Sequence, residues 1–379
     1  MDFIRGISAV IVCCGHLRAV MFVDFADLKS ASPIDRAFYF LTSLGHEAVM
    51  VFFVLSGFFV GGSVISKKLN FSFNNYLIAR LSRLWTVLIP ALIFTHIIDL
   101  ITGAYFPSIL LGENIHELSS GPDPKNGYSA SLLTFFANIT FLQSIHAPVF
   151  GSNGPLWSLA NEFWYYITFP LAMIAFGAIK MSKFKRLFFA ISLAVVFYFF
   201  TLKVFGGFII WLFGTVVFLV YQKKIFNFGY WFTALSLCLF AVSLVASKTP
   251  VFASSMIVPS DYLVGFTFSL FLISLRNIES RAWVKKYLAK FSFWLSDISY
   301  TLYVIHFPLF LLIYGMFYKD QQVILSPSSL FQYLGWLILV LLLSRVFWMI
   351  FEKNTHIVRN FMVRTRNVIV DKLAISKAS

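Results

Sequence analysis

Apolar runs long enough to cross a lipid bilayer recur along the whole chain, and few folds are open to a chain built that way. Hydrocarbon offers no water to backbone N–H and C=O groups, so only helices and closed barrels span it. A spanning helix needs about 17–25 apolar residues. Such runs fall at 3–23, 38–65, 85–104, 156–179, 187–202, 206–221, 229–247, 261–275, 297–317 and 331–351. The expectation is an all-α polytopic membrane protein with about ten transmembrane helices, residues 1–351 forming one membrane domain and 352–379 a basic tail. The interrupted apolar stretch 132–147 reads as a re-entrant or interfacial segment. Composition agrees: 59% of the 379 residues are hydrophobic and 12% charged, with mean hydropathy +0.82, beyond what a soluble core requires.

Charge orients the bundle. With the N-terminus in the cytoplasm, 21 of the 30 basic residues fall in inner segments and six outside, Lys29, Arg36, Lys125, Lys203, Lys248 and Lys319. That bias predicts both termini in the cytoplasm and a multi-pass protein of the cell inner (plasma) membrane. The net charge of +14 then implies no nucleic-acid partner, because the cations are spread over loops beside anionic membrane lipid.

Arg5 and His16 share the first apolar run, with ten residues between them. Eleven helical positions make close to three turns, so both side chains project from one face, roughly 16 Å apart along the axis. Ionisable groups in hydrocarbon are costly and mark sites by default. The separation suits a pantetheine arm, with a cation for phosphates at one end and a base for a thioester at the other. The alternative is a snorkelling arginine and a histidine bonded inside the bundle. Cys13 and Cys14 lie near His16, where a thioester relay competes with plain packing, and Cys238 falls in another span, so no disulfide framework follows. The first run has no small-residue cleavage site and is not read as a signal peptide.

The outer segment 105–155 carries Glu113, Glu117 and Asp123 around turn formers, and reads as a lid or a solvated connector. After it, Trp157, Asn161 and Glu162 stand at a membrane boundary, where tryptophan and amides suit sugar recognition or an ordinary aromatic belt. Ser56 and Gly57 in FFVLSGFF suggest close helix packing. His306 and Pro308 suggest a kink with a bonded histidine, and Arg345 needs an ion-pair or anion partner. His46 and Glu47 start their span where water reaches both. Zinc-type spacings, glycine-rich phosphate loops, GxSxG elbows and internal repeats do not occur, so no metal is expected.

Taken in order, DFIRG with His16, FFVLSGFF at 52–59, RLSRLWTVLIPAL at 80–92, WSLANEFWYYITFPL at 157–171, SYTLYVIHFPL at 299–309 and FEKN at 351–354 resemble the motif series of the membrane acyltransferase-3 family. The resemblance spans nearly the whole chain. It implies an integral-membrane enzyme moving an acyl group, mostly acetyl, from coenzyme A to a hydroxyl of a cell-surface or lipid-linked glycan. Acetyl-CoA would be a co-substrate, with no bound cofactor. Arg5 and His16 match the family's Arg-x10-His pair, His16 being its catalytic residue, and Asp2 matches the preceding acid. Glu162 matches the first acid of a WSLSVEEQFY-like segment whose second acid is Phe163 here. Arg80 and Arg83 match a basic inner pair suited to the donor phosphates. Glu352 matches the acid of a FIERP-like ending, with Asn354 in place of proline, and Met50 replaces the usual acid before FFVLSG.

Acyl transfer to an alcohol needs a base and a cation or donor for the oxyanion. His16 would take the hydroxyl proton in a direct attack, or carry the acetyl group covalently. Glu162 would orient His16 or hold sugar hydroxyls beside Trp157 and Asn161. The donor would enter from inside and the glycan from outside. Some family members carry an added extracytoplasmic domain. This chain ends about 28 residues after its last run, so it would act alone, as a homo-oligomer or with a separate extracytoplasmic partner. A glycan transporter or flippase is the competing class, which internal repeats would favour.

Overall fold

The computed structural model describes residues 1–112, 121, 128–223, 229–249, 259–276, 282–319 and 321–378. The elements in order are α1 (Asp2–Met21), α2 (Pro33–Thr42), α3 (Gly45–Ser56), a π-helical segment (Gly57–Gly61), α4 (Gly62–Ser66), α5 (Phe73–Tyr105), α6 (Pro107–Leu111), α7 (Leu132–Ile139) and α8 (Trp157–Ala175). They continue with α9 (Lys183–Phe199), α10 (Leu202–Lys223), α11 (Tyr230–Ala246), α12 (Pro259–Ser274), α13 (Ala282–Tyr318), α14 (Pro327–Ile350) and α15 (Thr355–Ala378). Among the described residues there is no β-strand, only two isolated bridges. Each of the ten apolar runs carries a helix. Among the described residues, six stretches are long and apolar enough to cross a membrane: Asp2–Met21, Pro33–Ser66, Phe73–Tyr105, Leu202–Lys223, Phe291–Tyr318 and Pro327–Ile369. Tyr230–Ala246 and Ser260–Ser274 are shorter apolar helices. The chain is an all-α polytopic membrane protein. The acidic residues Glu113, Glu117 and Asp123 of the expected lid lie outside the described residues.

Helix starts follow local chemistry. Ser32 and Asp35 form a capping box ahead of Pro33, and Ser326 and Ser329 do the same ahead of Pro327. α1 sits centrally, packed against α13, α3 and α14 through buried Val12, Cys13 and Leu17. α3 also packs on α10 and α12, and α12 in turn on α11. α3 and α10 meet backbone to backbone: a Cβ on Gly57 would lie 1.8 Å from Trp211 O, and one on Gly214 1.8 Å from Val54 O. Only glycine permits that approach, and the π turn begins at Gly57. This is the packing role expected of Gly57. By contrast, only 11% of the apolar 18-residue window within Pro327–Ile369 is buried, so this stretch turns most of its surface outward, to lipid. The basic C-terminal segment is helical, and α15 packs on α5.

Pro90, Pro170 and Pro308 sit inside helices, and each frees a carbonyl four residues earlier because proline has no N–H. Pro308 frees Val304 O, which accepts from Asn153 Nδ2 at 2.8 Å; Pro170 frees Tyr166 O, which accepts from Tyr76 Oη at 2.9 Å. These two carbonyls are satisfied by side chains from other segments, as hydrocarbon requires.

α7 is short and lies where the re-entrant or interfacial segment was expected. Its Leu132, Leu133 and Phe136 are exposed, while Asn138 is fully buried and bonds Thr134 O, Pro148 O and Phe150 N.

Candidate active site

Arg5 of α1, Arg80 and Arg83 of α5 and Glu162 of α8 line one cavity of about 320 Å³. Arg80 and Arg83 are three residues apart and share a helix face. Arg5 donates to Ser296 Oγ and lies 3.7 Å from the Asp2 carboxylate. Arg83, Glu352 and Asp297 are also within electrostatic reach of Arg5. Glu352 is fixed by Thr301, whose hydroxyl donates to its carboxylate at 2.6 Å. The Nε atoms of Arg5 and Arg80 are buried and have no hydrogen-bond partner. A cavity with more arginine than carboxylate, and with donors unspent, is suited to an anion with several oxygens.

Glu162 does not meet His16. Its carboxylate accepts from Tyr166 Oη at 2.5 Å, Tyr166 accepts from Ser56 Oγ at 3.3 Å, and Ser56 accepts from Trp211 Nε1 at 3.0 Å. This series of donors ends on the carboxylate and holds it facing the arginines. Ser56 is therefore a link in the wall of the cavity as well as a small residue that lets helices approach.

His16 finds its partner on α13. Its Nδ1 lies 2.8 Å from His306 Nε2. The rings are inclined by 11° with centroids 5.1 Å apart, which is what an in-line bond between ring nitrogens gives, so they lie edge to edge rather than face to face. The tautomers follow from one further contact. His306 Nδ1 is 2.9 Å from Leu302 O, and a carbonyl only accepts, so that nitrogen carries the proton. In neutral His306, Nε2 is then an acceptor, His16 Nδ1 donates to it, and the lone pair of His16 is left on Nε2. His306 is bonded in the interior as expected of it, but its partner is the histidine of the first helix.

The histidine pair does not border the arginine cavity directly. Tyr303 stands between them: it lines the cavity, its ring centroid is 6.0 Å from that of His306, and its hydroxyl donates to Pro155 O at 2.8 Å. Cys13 beside the pair is fully buried, and Cys14 is half-buried with its carbonyl accepting from Tyr333 at 2.9 Å.

Trp157 and Asn161 line a second cavity of about 230 Å³, together with His46, Lys203, Asp261 and Tyr262. Phe53 lines both cavities and separates them. Asn161 and Glu162 are neighbours on α8, and the turn of roughly 100° between consecutive residues sends one into each cavity. His46 is bonded to Asp261 at 2.9 Å. Glu47, expected at water, is instead 4% exposed and paired with Lys248 at 2.8 Å. A span-starting acid is drawn inward when a cation from a neighbouring segment meets it there. Arg345 pairs with Asp297 at 3.7 Å and lies over the Trp348 ring.

One cluster escaped the sequence reading. Asp99 of α5 is 2% exposed and holds the segment leading into α8: Ser152 N and Oγ donate to it at 2.8 and 2.6 Å, and Tyr128 Oη at 3.1 Å. Burial and the adjacent Asp99 carboxylate push the Tyr128 phenol up, so it remains a donor. Gly151 has φ +60°, and a Cβ there would lie 2.2 Å from Asp99 Oδ2. An acid in the 85–104 run was the available signal.

Helical spans, a charged cavity within the bundle and a bonded histidine on the first helix define a membrane protein built around a polar interior site. The family model described as an acyltransferase domain, acyltransferase-3, matches residues 1–352. The chain belongs to the membrane acyltransferase-3 family. No curated protein and no solved structure matches the chain.

Proposed function

We propose that this acyltransferase is an O-acetyltransferase of the cell inner membrane, taking the acetyl group from cytoplasmic acetyl-CoA and delivering it to a hydroxyl of a cell-surface or lipid-linked glycan. The observation that carries the reading is the convergence of Arg5, Arg80 and Arg83 on one cavity, with Arg5 standing on the helix that also bears His16 and its unprotonated Nε2. The arginines would hold the phosphates, and the pantetheine arm would reach along α1 past Tyr303. The acceptor oxygen attacks the thioester carbonyl as its proton passes to His16 Nε2. The tetrahedral intermediate then collapses, the C–S bond breaks, and the coenzyme A thiolate leaves with the proton from His16. His306 keeps His16 in the tautomer the first step needs, since its Nε2 accepts the Nδ1 proton.

Transfer of labelled acetyl from acetyl-CoA to glycan by the purified protein in nanodiscs tests this directly. Export of glycan across vesicles without acetyl transfer would replace it with a transporter.

A further inference from the structure

The second cavity holds one buried polar group whose bonding is incomplete and, at its exposed edge, one cation without an ion-pair partner among the described residues. Asn161 is 3% exposed, yet its side-chain carbonyl oxygen has no hydrogen-bond partner. Leaving such an acceptor buried and unmet costs about 1–3 kcal/mol, so it calls for a donor brought by a ligand. The other group is Lys203. Its ammonium lies 5.0 Å from the centroid of the Trp157 ring. The carboxylates nearby are engaged elsewhere, Asp261 by His46 and Glu47 by Lys248, and among the described residues Lys203 has no carboxylate partner.

The cavity's shape limits what enters. Its floor on α10 is the pair Gly206 and Gly207, where a Cβ would come within 2.9 Å of Tyr262 Oη and 2.2 Å of Tyr165 Oη. At about 230 Å³ it is smaller than the ~300–1,000 Å³ of sites for drug-sized ligands, which suits one sugar unit. A hydroxyl donor for Asn161, an apolar ring face beside Trp157 and an anion for Lys203 together describe a sugar that carries its own carboxylate.

We infer that the Asn161–Trp157–Lys203 cavity is a binding subsite for an acidic sugar unit, a uronate, of the acceptor glycan. This names the acceptor class within the acyltransferase reading above, and rests on it for the word acceptor. The ring hydroxyl donates to Asn161 Oδ1, and the carboxylate pairs with Lys203 across the tryptophan.

The test titrates the full chain in nanodiscs with a glucuronate-containing disaccharide and with its carboxyl-reduced, neutral counterpart, using inorganic phosphate as competitor. The uronate should bind at least about tenfold tighter, the value of one charge-assisted contact. Lys203→Gln should bring the two probes level, and Asn161→Leu should weaken both. Retained acetyl-CoA binding shows that each variant is folded. Equal binding of the two probes by the unaltered protein overturns the inference, as does a uronate preference that survives Lys203→Gln. Displacement of the uronate by phosphate at equal concentration also overturns it, because the anion read would then be a phosphate head. Binding needs no acetyl-CoA, so a protein that prefers the uronate but transfers no acetyl would refute the proposed function and leave this subsite standing.

Discussion

His16 and His306, 290 positions apart in the chain, are joined nitrogen to nitrogen at 2.8 Å, and the Leu302 carbonyl behind His306 decides which of the four ring nitrogens is left bare. That atom is Nε2 of His16. His16→Ala should therefore lower transfer by about 10²- to 10⁴-fold without loss of folded protein. Near-normal turnover in a well-expressed variant would end the assignment.

In the proposed mechanism His306 acts through His16 and not on substrate, so its removal should have a different signature. His306→Ala should cut kcat by at least about tenfold with acetyl-CoA KM unchanged. His306→Gln should recover part of the loss, since an amide oxygen can accept from His16 Nδ1. A purely structural role would move thermal stability in both variants and leave no difference in kcat between them.

Donor binding should depend on the arginine cavity. Arg5→Ala or Arg83→Ala should each weaken acetyl-CoA affinity by about tenfold or more, the scale of one hydrogen bond to a charged group, and leave glycan affinity unchanged. Isothermal titration in nanodiscs measures both. Unaltered acetyl-CoA affinity in the two variants would place the donor elsewhere.

Gly151→Ala should be destabilising by about 1–3 kcal/mol, because a side chain at φ +60° is strained and its Cβ would lie 2.2 Å from Asp99 Oδ2. Thermal unfolding in detergent reads the change. A melting point equal to that of the parent protein would mean that the segment before α8 yields easily.

Sidedness has its own experiment. In sealed vesicles of known orientation, acetyl-CoA on the side bearing the termini should label glycan confined to the opposite side. Labelling only when both substrates are on the side of the termini would refute a reaction across the membrane.

The helices were legible because an unbroken apolar run is a local signal, and Arg5 and His16 faced one neighbour because eleven positions return to nearly the same helix face. The identity of that neighbour was not. His306 could be recognised as an interior histidine, but nothing within SYTLYVIHFPL says that His16 lies opposite. Asp99 was overlooked for a related reason: its meaning resides in Ser152, 53 positions further on. Trp157, Asn161 and Glu162 were read as one group from their adjacency, whereas helix geometry separates neighbours by about 100°, and the structure divides them between two cavities accordingly.

Asn161 and Glu162 thus give a single helix a stake in both chambers. A ligand that shifts α8 from one side alters what the other side meets, through a rigid rod one residue step wide. Thermodynamic linkage makes such an influence reciprocal: whatever factor occupancy of the arginine chamber imposes on affinity at Asn161, occupancy at Asn161 imposes on the arginines.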